Sequence, residues 1–170
     1  MTNLTDTKPR ATDSGVQHEV LTFSLGDEHY AVDIQQVQEI RRYESPVRLA
    51  NASPALRGVL NLRGNIIPVI DLRLHLATPA DVTTATVTIV LNIAGQVYGA
   101  VVDAVADVVA LPASAIKPPP RLATQGADFV EGVATLPANG GTAERTVQLL
   151  ALHRLFERFI VPTAAVAVRP

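Results

Sequence analysis

The first half of the chain recurs in the second half, and this internal repeat constrains the fold more than any other sequence feature. Short apolar blocks reappear in the same order, with the insertions falling where loops are expected. The matched blocks are Phe23-x-Leu25 with Leu91-x-Ile93, Tyr30-Ala31 with Tyr98-Gly99, Ile34, Val37, Glu39 and Ile40 with Val102, Val105, Asp107 and Val108, Pro46-x-Arg48 with Pro119-x-Arg121, Gly58-Val59 with Gly132-Val133, and Val69-Ile70-Asp71-Leu72 with Leu149-Leu150-Ala151-Leu152. Because such a unit has little core of its own, the two copies are expected to pack on each other.

The residue types favour a mostly β chain. Each copy reads as strand, turn, strand, helical turn, then strand, turn, strand and a last helical turn. Val and Ile are frequent, and the 170 residues include 10 Gly and 12 Pro, which punctuate short strands with turns. Short strands of this kind close into small barrels that remove their free edges. We predict two packed β-barrel subdomains, either self-contained or exchanging a strand, and a terminal helix over residues 150–159.

The repeat also predicts the domain organisation. Residues 18–160 form one domain, with approximate copies at 18–80 and 86–160. Residues 1–17 are rich in Thr, Asp and Ser and are expected to form a disordered tail, and residues 161–170 a short C-terminal tail.

No membrane segment or secretory signal is predicted. The longest apolar stretch, 99–116, is interrupted by Asp103 and Asp107, and residues 1–17 contain no apolar signal region. The absence of cysteine fits a reducing compartment. The sequence therefore favours a soluble cytoplasmic protein without direct membrane insertion.

One hairpin in the first copy is a candidate contact site. Residues 59–62 and 66–70 read as strands, and Gly64 and Asn65 are expected to take the positive φ of a tight turn. Such a turn holds Arg63 at the rim of the hairpin. This arrangement indicates a contact site rather than a chemical one.

Two further features qualify the hairpin. Pro68 has no backbone N–H, so either its strand lies at a sheet edge or no ladder bond is needed at that position. The corresponding loop of the second copy, 137–145, is much longer and is expected to be mobile and structural. The first-copy turn is therefore the more specialised of the two.

Glu39 is assigned to a helical turn. Asp33 is a predicted N-cap, and Ile34, Val37 and Ile40 follow at helical spacing, with Glu39 at the edge of that face.

Catalytic, metal-binding and nucleic-acid-binding patterns are weak. The histidines lack metal-ligand spacing; they are His18, His29, His75 and His153. Capping explains four aspartates better than acid–base chemistry does; they are Asp33, Asp71, Asp103 and Asp107. A small β-barrel hydrolase using Asp13 or Asp71 is kept as a remote alternative. A nucleic-acid-binding barrel is a poor alternative, because the net charge is −2 and neither basic nor aromatic residues are clustered.

The chain resembles the CheW family of chemotaxis coupling proteins from about residue 20 to residue 159. The resemblance lies in residues 23–34, 37–41, the hairpin through Arg73, 87–92, 99–109 and 116–120. Asn-Leu-Arg-Gly, followed by an apolar run and Asp-Leu-Arg, is the most specific combination.

The resemblance implies two intertwined, five-stranded SH3-like barrels, no enzymatic activity and no cofactor. It implies an adaptor that couples the cytoplasmic tips of methyl-accepting chemoreceptors to the regulatory domain of a CheA-type histidine kinase, in arrays at the inner membrane that can include self-association. An adaptor of a twitching-motility or other chemosensory-like pathway is the alternative within the family.

The resemblance also implies a receptor-binding groove between the barrels. Its charged residues are Glu39 and Arg63. The residues that the same matching assigns to the apolar lining are Val37, Val87, Gly58 and Val108.

Overall fold

The computed structural model describes residues 17–50, 56–75, 81–119, 129–138 and 143–157. Ten strands account for most of them, with two short α-helices and two 3-10 turns. The strands are β1 (Gln17–Leu25), β2 (Glu28–Asp33), β3 (Val37–Arg42), β4 (Leu56–Leu62), β5 (Asn65–Asp71), β6 (Val87–Ile93), β7 (Gln96–Val102), β8 (Ala104–Pro112), β9 (Val130–Leu136) and β10 (Arg145–Leu150). The helices are α1 (Leu72–His75) and α2 (Leu152–Glu157), and the 3-10 turns are Ile34–Gln36 and Ala113–Ala115.

The strands form two five-stranded sheets that exchange hairpins between the copies. Barrel A has the order β8-β1-β2-β10-β9, and barrel B has the order β3-β6-β7-β5-β4. Each barrel therefore takes a hairpin from one copy and three strands from the other. The two orders become identical when each strand is replaced by its counterpart in the repeat. The predicted fold class, two packed five-stranded barrels, is confirmed. Of the two arrangements that the sequence left open, the structure shows exchange between the copies, and the exchanged unit is a hairpin rather than a single strand.

Each sheet is closed by the segment that follows its first edge strand. Val47 pairs with Val59 on β4 in barrel B, and Lys117 pairs with Val133 on β9 in barrel A. Val47 and Lys117 are therefore counterparts. The sequence match of Pro46 with Pro119 was wrong by three residues, because it aligned two prolines rather than the two bridges.

The largest hydrophobic core lies between the barrels rather than inside either one. It combines apolar residues of β1 and β2 from barrel A with those of β6 and β7 from barrel B, and α2 packs into it. Phe156 on α2 stacks on Tyr98 of β7, with ring centroids 4.9 Å apart. The barrel interiors hold smaller clusters, such as Leu62, Ile67 and Val90 in barrel B. This arrangement agrees with the prediction that neither copy has much core of its own.

Pro68 is accommodated inside a sheet rather than at its edge. β5 pairs with β4 on one side and with β7 on the other, so the edge alternative was wrong. Pro68 lies opposite Val59, whose backbone N–H and C=O both bond to Val47, away from β5. The β4–β5 ladder therefore needs no N–H from Pro68, and the β5–β7 register begins only at Val69, so the second alternative describes the position.

Several predictions at the ends of the chain differ in their bounds. Gln17, placed in the tail, is the first residue of β1, and residues 1–16 lie outside the described part of the chain. The terminal helix begins at Leu152 rather than at Leu150, because Leu150 ends β10. Phe159 lies outside the described residues, as does all of the C-terminal tail.

Candidate partner-binding site

The β4–β5 turn projects Arg63 from the rim of barrel B. Arg63 and Gly64 are its two central residues, with φ of 52° and 92°, the pattern of a type I′ turn. The side-chain oxygen of Asn61 accepts a hydrogen bond from the Gly64 N–H at 2.7 Å. The predicted turn is confirmed, but its positive-φ pair is displaced by one residue, because Asn65 already belongs to β5.

Glu39 lies on strand β3, not on a helical turn. Asp33 does cap a short 3-10 turn, since its carboxylate accepts a hydrogen bond from the Gln35 N–H at 2.9 Å. That turn ends at Gln36, and β3 follows at once. The β3–β6 register shifts between Val37 and Glu39, which is a β-bulge. Burial still alternates along β3, where Val37, Glu39 and Arg41 are partly buried and the residues between them are exposed.

Glu39 and Arg63 meet across the side of barrel B where β3 and β4 are the two edge strands. The Arg63 guanidinium donates to a Glu39 carboxylate oxygen, and Arg41 lies 3.7 Å from the other oxygen. The Arg63 side chain is 64% exposed, whereas that of Glu39 is 28% exposed. The hydrogen bond from Arg63 holds the pKa of the Glu39 carboxyl below its usual value. The pair thus presents a mostly exposed guanidinium, fixed in direction by its acid.

The predicted apolar residues divide between the two barrels. Val37 on β3 and Val87 on β6 are partly buried and pack against the core between the barrels. Val108 is 53% exposed and belongs to β8 of barrel A. The structure therefore brings Glu39 and Arg63 into contact, with Val37 on the same strand as Glu39, while the grouping of Val108 with them stays a prediction.

Gly58 is a closure residue of barrel B. It is buried, has a φ of 146°, and a Cβ there would lie 2.0 Å from the carbonyl oxygen of Val47. The bridge between Val47 and Val59 requires this close approach of two backbones. Packing thus explains Gly58 without reference to a partner.

A buried ionic cluster lies at the end of β5, where the sequence predicted only that Asp71 caps a helical turn. Arg73, on α1, is fully buried and makes a two-pronged ion pair with Asp71, with both N–O distances at 2.9 Å. Arg57 donates to the second Asp71 oxygen at 2.9 Å. Asp71 also accepts from the Arg73 backbone N–H, so capping was part of its role. The Asp-Leu-Arg triplet could have indicated this ion pair from the sequence, because an acid and an arginine two positions apart at the end of a strand can contact each other.

These contacts determine the ionisation of Asp71. Burial raises its pKa, but the hydrogen bonds from Arg73 and Arg57 outweigh burial, and the net pKa is below the ordinary value. Both oxygens are occupied by arginines, so Asp71 lacks the free carboxylate that the hydrolase alternative requires. Asp13, the other acid of that alternative, lies outside the described residues.

Barrel A carries a counterpart of the Glu39–Arg63 pair. Asp107, which matches Glu39 in the repeat, also lies at a bulge, where β8 pairs with β1. Arg145 donates to its carboxylate at 3.1 Å, and the Thr22 hydroxyl donates to the same oxygen at 2.5 Å. Here the arginine is the less exposed partner, at 18%, and the acid is 55% exposed. Barrel B therefore displays a cation where barrel A displays an acid.

Within the described part of the chain, no helix is long and apolar enough to cross a membrane.

Comparison with known proteins identifies relatives over most of the chain. The profile of the CheW-like domain matches residues 19–159. The "Chemotaxis protein CheW" of Klebsiella aerogenes is 42% identical over 142 residues, covering 82% of this chain and 82% of the relative. The "Probable chemotaxis protein CheW" of Rhizobium etli is 32% identical over 140 residues, covering 81% of this chain and 86% of the relative. The crystal structure of the scaffolding protein TtCheW from Thermoanaerobacter tengcongensis superposes with a TM-score of 0.73 at 33% identity, covering 84% of this chain and 94% of that one.

Proposed function

The chain belongs to the CheW-like domain family, and we propose that the Glu39–Arg63 pair of barrel B is the contact through which it recognises a chemoreceptor. Its family makes it a chemotaxis adaptor that couples receptors to the CheA histidine kinase. The action of an adaptor is stoichiometric: bound partners bias the kinase equilibrium by their differential affinity for its states. The further proposals concern which surface meets which partner.

The observation that carries the proposal is the geometry of Arg63. Its backbone has a positive φ, which is unfavourable for a residue with a Cβ, and its side chain is mostly exposed. Strained positions of this kind cluster at binding sites, where the conformation itself is needed. Glu39 fixes the direction of the guanidinium, which reduces the side-chain entropy lost when a partner binds.

The proposed occupant is the cytoplasmic tip of a methyl-accepting chemoreceptor, presenting an acceptor to Arg63. The kinase would be met elsewhere, through its regulatory SH3-like domain. Both partners together would recruit the adaptor to receptor arrays at the inner membrane. Val37 precedes Glu39 by two residues on β3, and Val87 pairs with Arg42 at the other end of that strand. Both are partly buried and would supply apolar contact on either side of Glu39.

Charge reversal tests the receptor contact. Arg63→Glu and Glu39→Arg should each weaken binding of a receptor cytoplasmic fragment about tenfold or more, which corresponds to about 1.4 kcal/mol. The thermal midpoint should stay unchanged, because exposed ion pairs contribute little to stability. Titration calorimetry with the fragment measures the first and thermal denaturation the second.

Matched controls separate a local effect from a general effect of charge. Arg154→Glu on α2 and Glu131→Arg on β9 make the same changes at exposed positions of barrel A and should leave affinity unchanged. The double exchange Glu39→Arg with Arg63→Glu restores an ion pair but should not restore binding, because the outward charge is then inverted. Normal receptor affinity in both single reversals would refute the proposed contact.

A further inference from the structure

The chain crosses between the barrels at two related places, and only one of them is charged. It passes from β2 of barrel A to β3 of barrel B through residues 34–36, and from β7 of barrel B to β8 of barrel A through Asp103. In the repeat, Gln35 is the counterpart of Asp103. Ala151 and His153 are the counterparts of Asp71 and Arg73. The contacts of Arg73 with Asp71 and Asp103 therefore have no equivalent among these counterparts, and Glu131, the counterpart of Arg57, is exposed on β9.

Asp103 is held from both barrels at once. Its backbone N–H donates to the carbonyl of Ser24 near the end of β1 in barrel A. One carboxylate oxygen accepts the N–H of Gly26 in the β1–β2 turn at 2.6 Å. The other carboxylate oxygen accepts from the Arg73 guanidinium at 3.1 Å. Arg73 is itself fixed in barrel B by Asp71 and by the carbonyl of Asp81, at 2.6 Å.

The hydrophobic core that the described residues form between the barrels is a contact of a different kind. The shared core is apolar, with Phe156 stacked on Tyr98 as one of its contacts. Apolar burial supplies affinity but little directionality, so packed surfaces of this kind can slide by small shear movements. Charge-assisted hydrogen bonds depend on both distance and direction, and a planar guanidinium restrains rotation as well.

We propose that the Arg73–Asp103–Gly26 contact is a positioning joint that fixes the orientation of barrel A relative to barrel B. Asp103 and Arg73 are positioning residues in this sense, since they act through the β1–β2 turn and touch neither partner. An adaptor must hold two partners in one geometry, so the joint would matter for bridging two partners and not for binding either one. The role in bridging two partners rests on the proposed function, whereas the fixed orientation of the two barrels does not.

The orientation is testable without any partner. Residual dipolar couplings of the full chain report the alignment of each barrel separately. In the wild type the two barrels should share one alignment, and in Asp103→Ala the alignments should diverge. Gln35→Ala changes the uncharged crossing and is the matched control, which should behave as the wild type does. If the two barrels of Asp103→Ala shared one alignment at a temperature where the variant is folded, the proposed joint would be refuted.

A second variant distinguishes the joint from general loss of stability. Asp103→Asn keeps an acceptor for Gly26 but removes the charge that faces Arg73. It should give an intermediate divergence and remain folded, because the Asp103 side chain is already 29% exposed. If Asp103→Ala does not fold, this variant decides the question alone, and a wild-type alignment in it counts against the joint.

The consequence for function is measured with the receptor fragment and the kinase regulatory domain. Binary affinities should stay within about twofold in Asp103→Ala, while assembly of the three-component complex falls about tenfold or more. Equal losses in binary and ternary binding would indicate a merely structural role and refute the bridging step. A wild type that binds neither partner would refute the proposed function and leave the dipolar-coupling result to decide on the joint.

Discussion

Two arginines of barrel B show how burial determines whether an arginine contributes to stability or to recognition. Arg73 is completely buried against Asp71, whereas Arg63 is mostly exposed beside Glu39. A buried ion pair that loses one partner leaves an uncompensated charge, while an exposed pair loses little. The Arg73 pair should therefore dominate stability and the Arg63 pair should dominate recognition.

At the residue scale, Asp71→Asn should lower the free energy of unfolding at pH 7 by about 3–5 kcal/mol, since Arg73 and Arg57 lose their shared carboxylate. Folding lowers the pKa of Asp71, so the unfolded chain takes up the proton at higher pH than the folded chain. The stability that Asp71 contributes is present above the unfolded value of about 3.9 and is lost as the pH falls below it. The difference in the free energy of unfolding between the wild type and Asp71→Asn should therefore become smaller as the pH falls below about 4.

Urea denaturation at a series of pH values measures this difference. If the difference in the free energy of unfolding stayed constant from pH 7 to pH 3, the charge of Asp71 would not contribute to stability.

At the element scale, the two tight hairpins of barrel B form a natural pair. The β6–β7 turn repeats the β4–β5 turn: Ala94 and Gly95 have φ of 53° and 87°, and Asn92 caps the Gly95 N–H at 3.0 Å. Arg63 and Ala94 occupy the same strained position, where Asn is preferred. Ala94→Asn and Arg63→Asn should therefore each raise the free energy of unfolding by roughly 0.5–1 kcal/mol.

The two stabilised variants should differ in binding. Arg63→Asn removes the guanidinium and should lose affinity for the receptor fragment, whereas Ala94→Asn should keep it. Thermal denaturation and calorimetry on the same samples test both expectations. A destabilised Ala94→Asn would mean that the turn is not strained as its φ indicates. Strain tolerated at Arg63 would then no longer be an argument for function.

The same elements show where sequence reasoning succeeded and where it failed. Turn chemistry located both strands around Arg63, and the repeat gave the two-barrel fold. The helix assigned to residues 34–40 failed because only residues 34–36 form a 3-10 turn, after which β3 begins at Val37. Val37 and Ile40 recur at a spacing of three, which imitates a helix, but Val37 is partly buried and Ile40 is 44% exposed, so they do not share a buried face. Glu39 was predicted on a helical turn but lies on β3, in contact with Arg63, and its role in binding stays a prediction.

Strand partners were beyond the reach of sequence patterns, for a related reason. An alternating pattern specifies which face of a strand is buried but not which strand lies beside it. The exchange between the copies was therefore left open, and the cluster around Arg73 was seen only as a cap. Its members lie far apart in the sequence, from Arg57 to Asp103. The pairing of β4 with β5 brings Arg57 to Asp71, and the crossing of β7 into β8 adds Asp103.

At the scale of the whole molecule, the exchange makes each half dependent on the other. The β1–β2 hairpin pairs with β8 and β10, both from the second copy, and the β6–β7 hairpin pairs with β3 and β5 from the first. A separated half would leave strand edges unpaired and would expose its face of the core between the barrels. Neither barrel can form from one copy alone.

Fragments 1–82 and 83–170 should therefore each lack cooperative unfolding when produced alone, and should fold when mixed. The dispersion of amide resonances and the near-ultraviolet signal of Tyr98, stacked on Phe156 of the same fragment, report the native packing. Reconstitution should be concentration-dependent, because folding and association become one step. The cut falls in the polar segment between α1 and β6, outside every strand, so that loss of the connection itself costs only chain entropy. If either fragment alone gave a native-like spectrum, each copy would carry enough core to fold, and the exchange of hairpins would be incidental to stability.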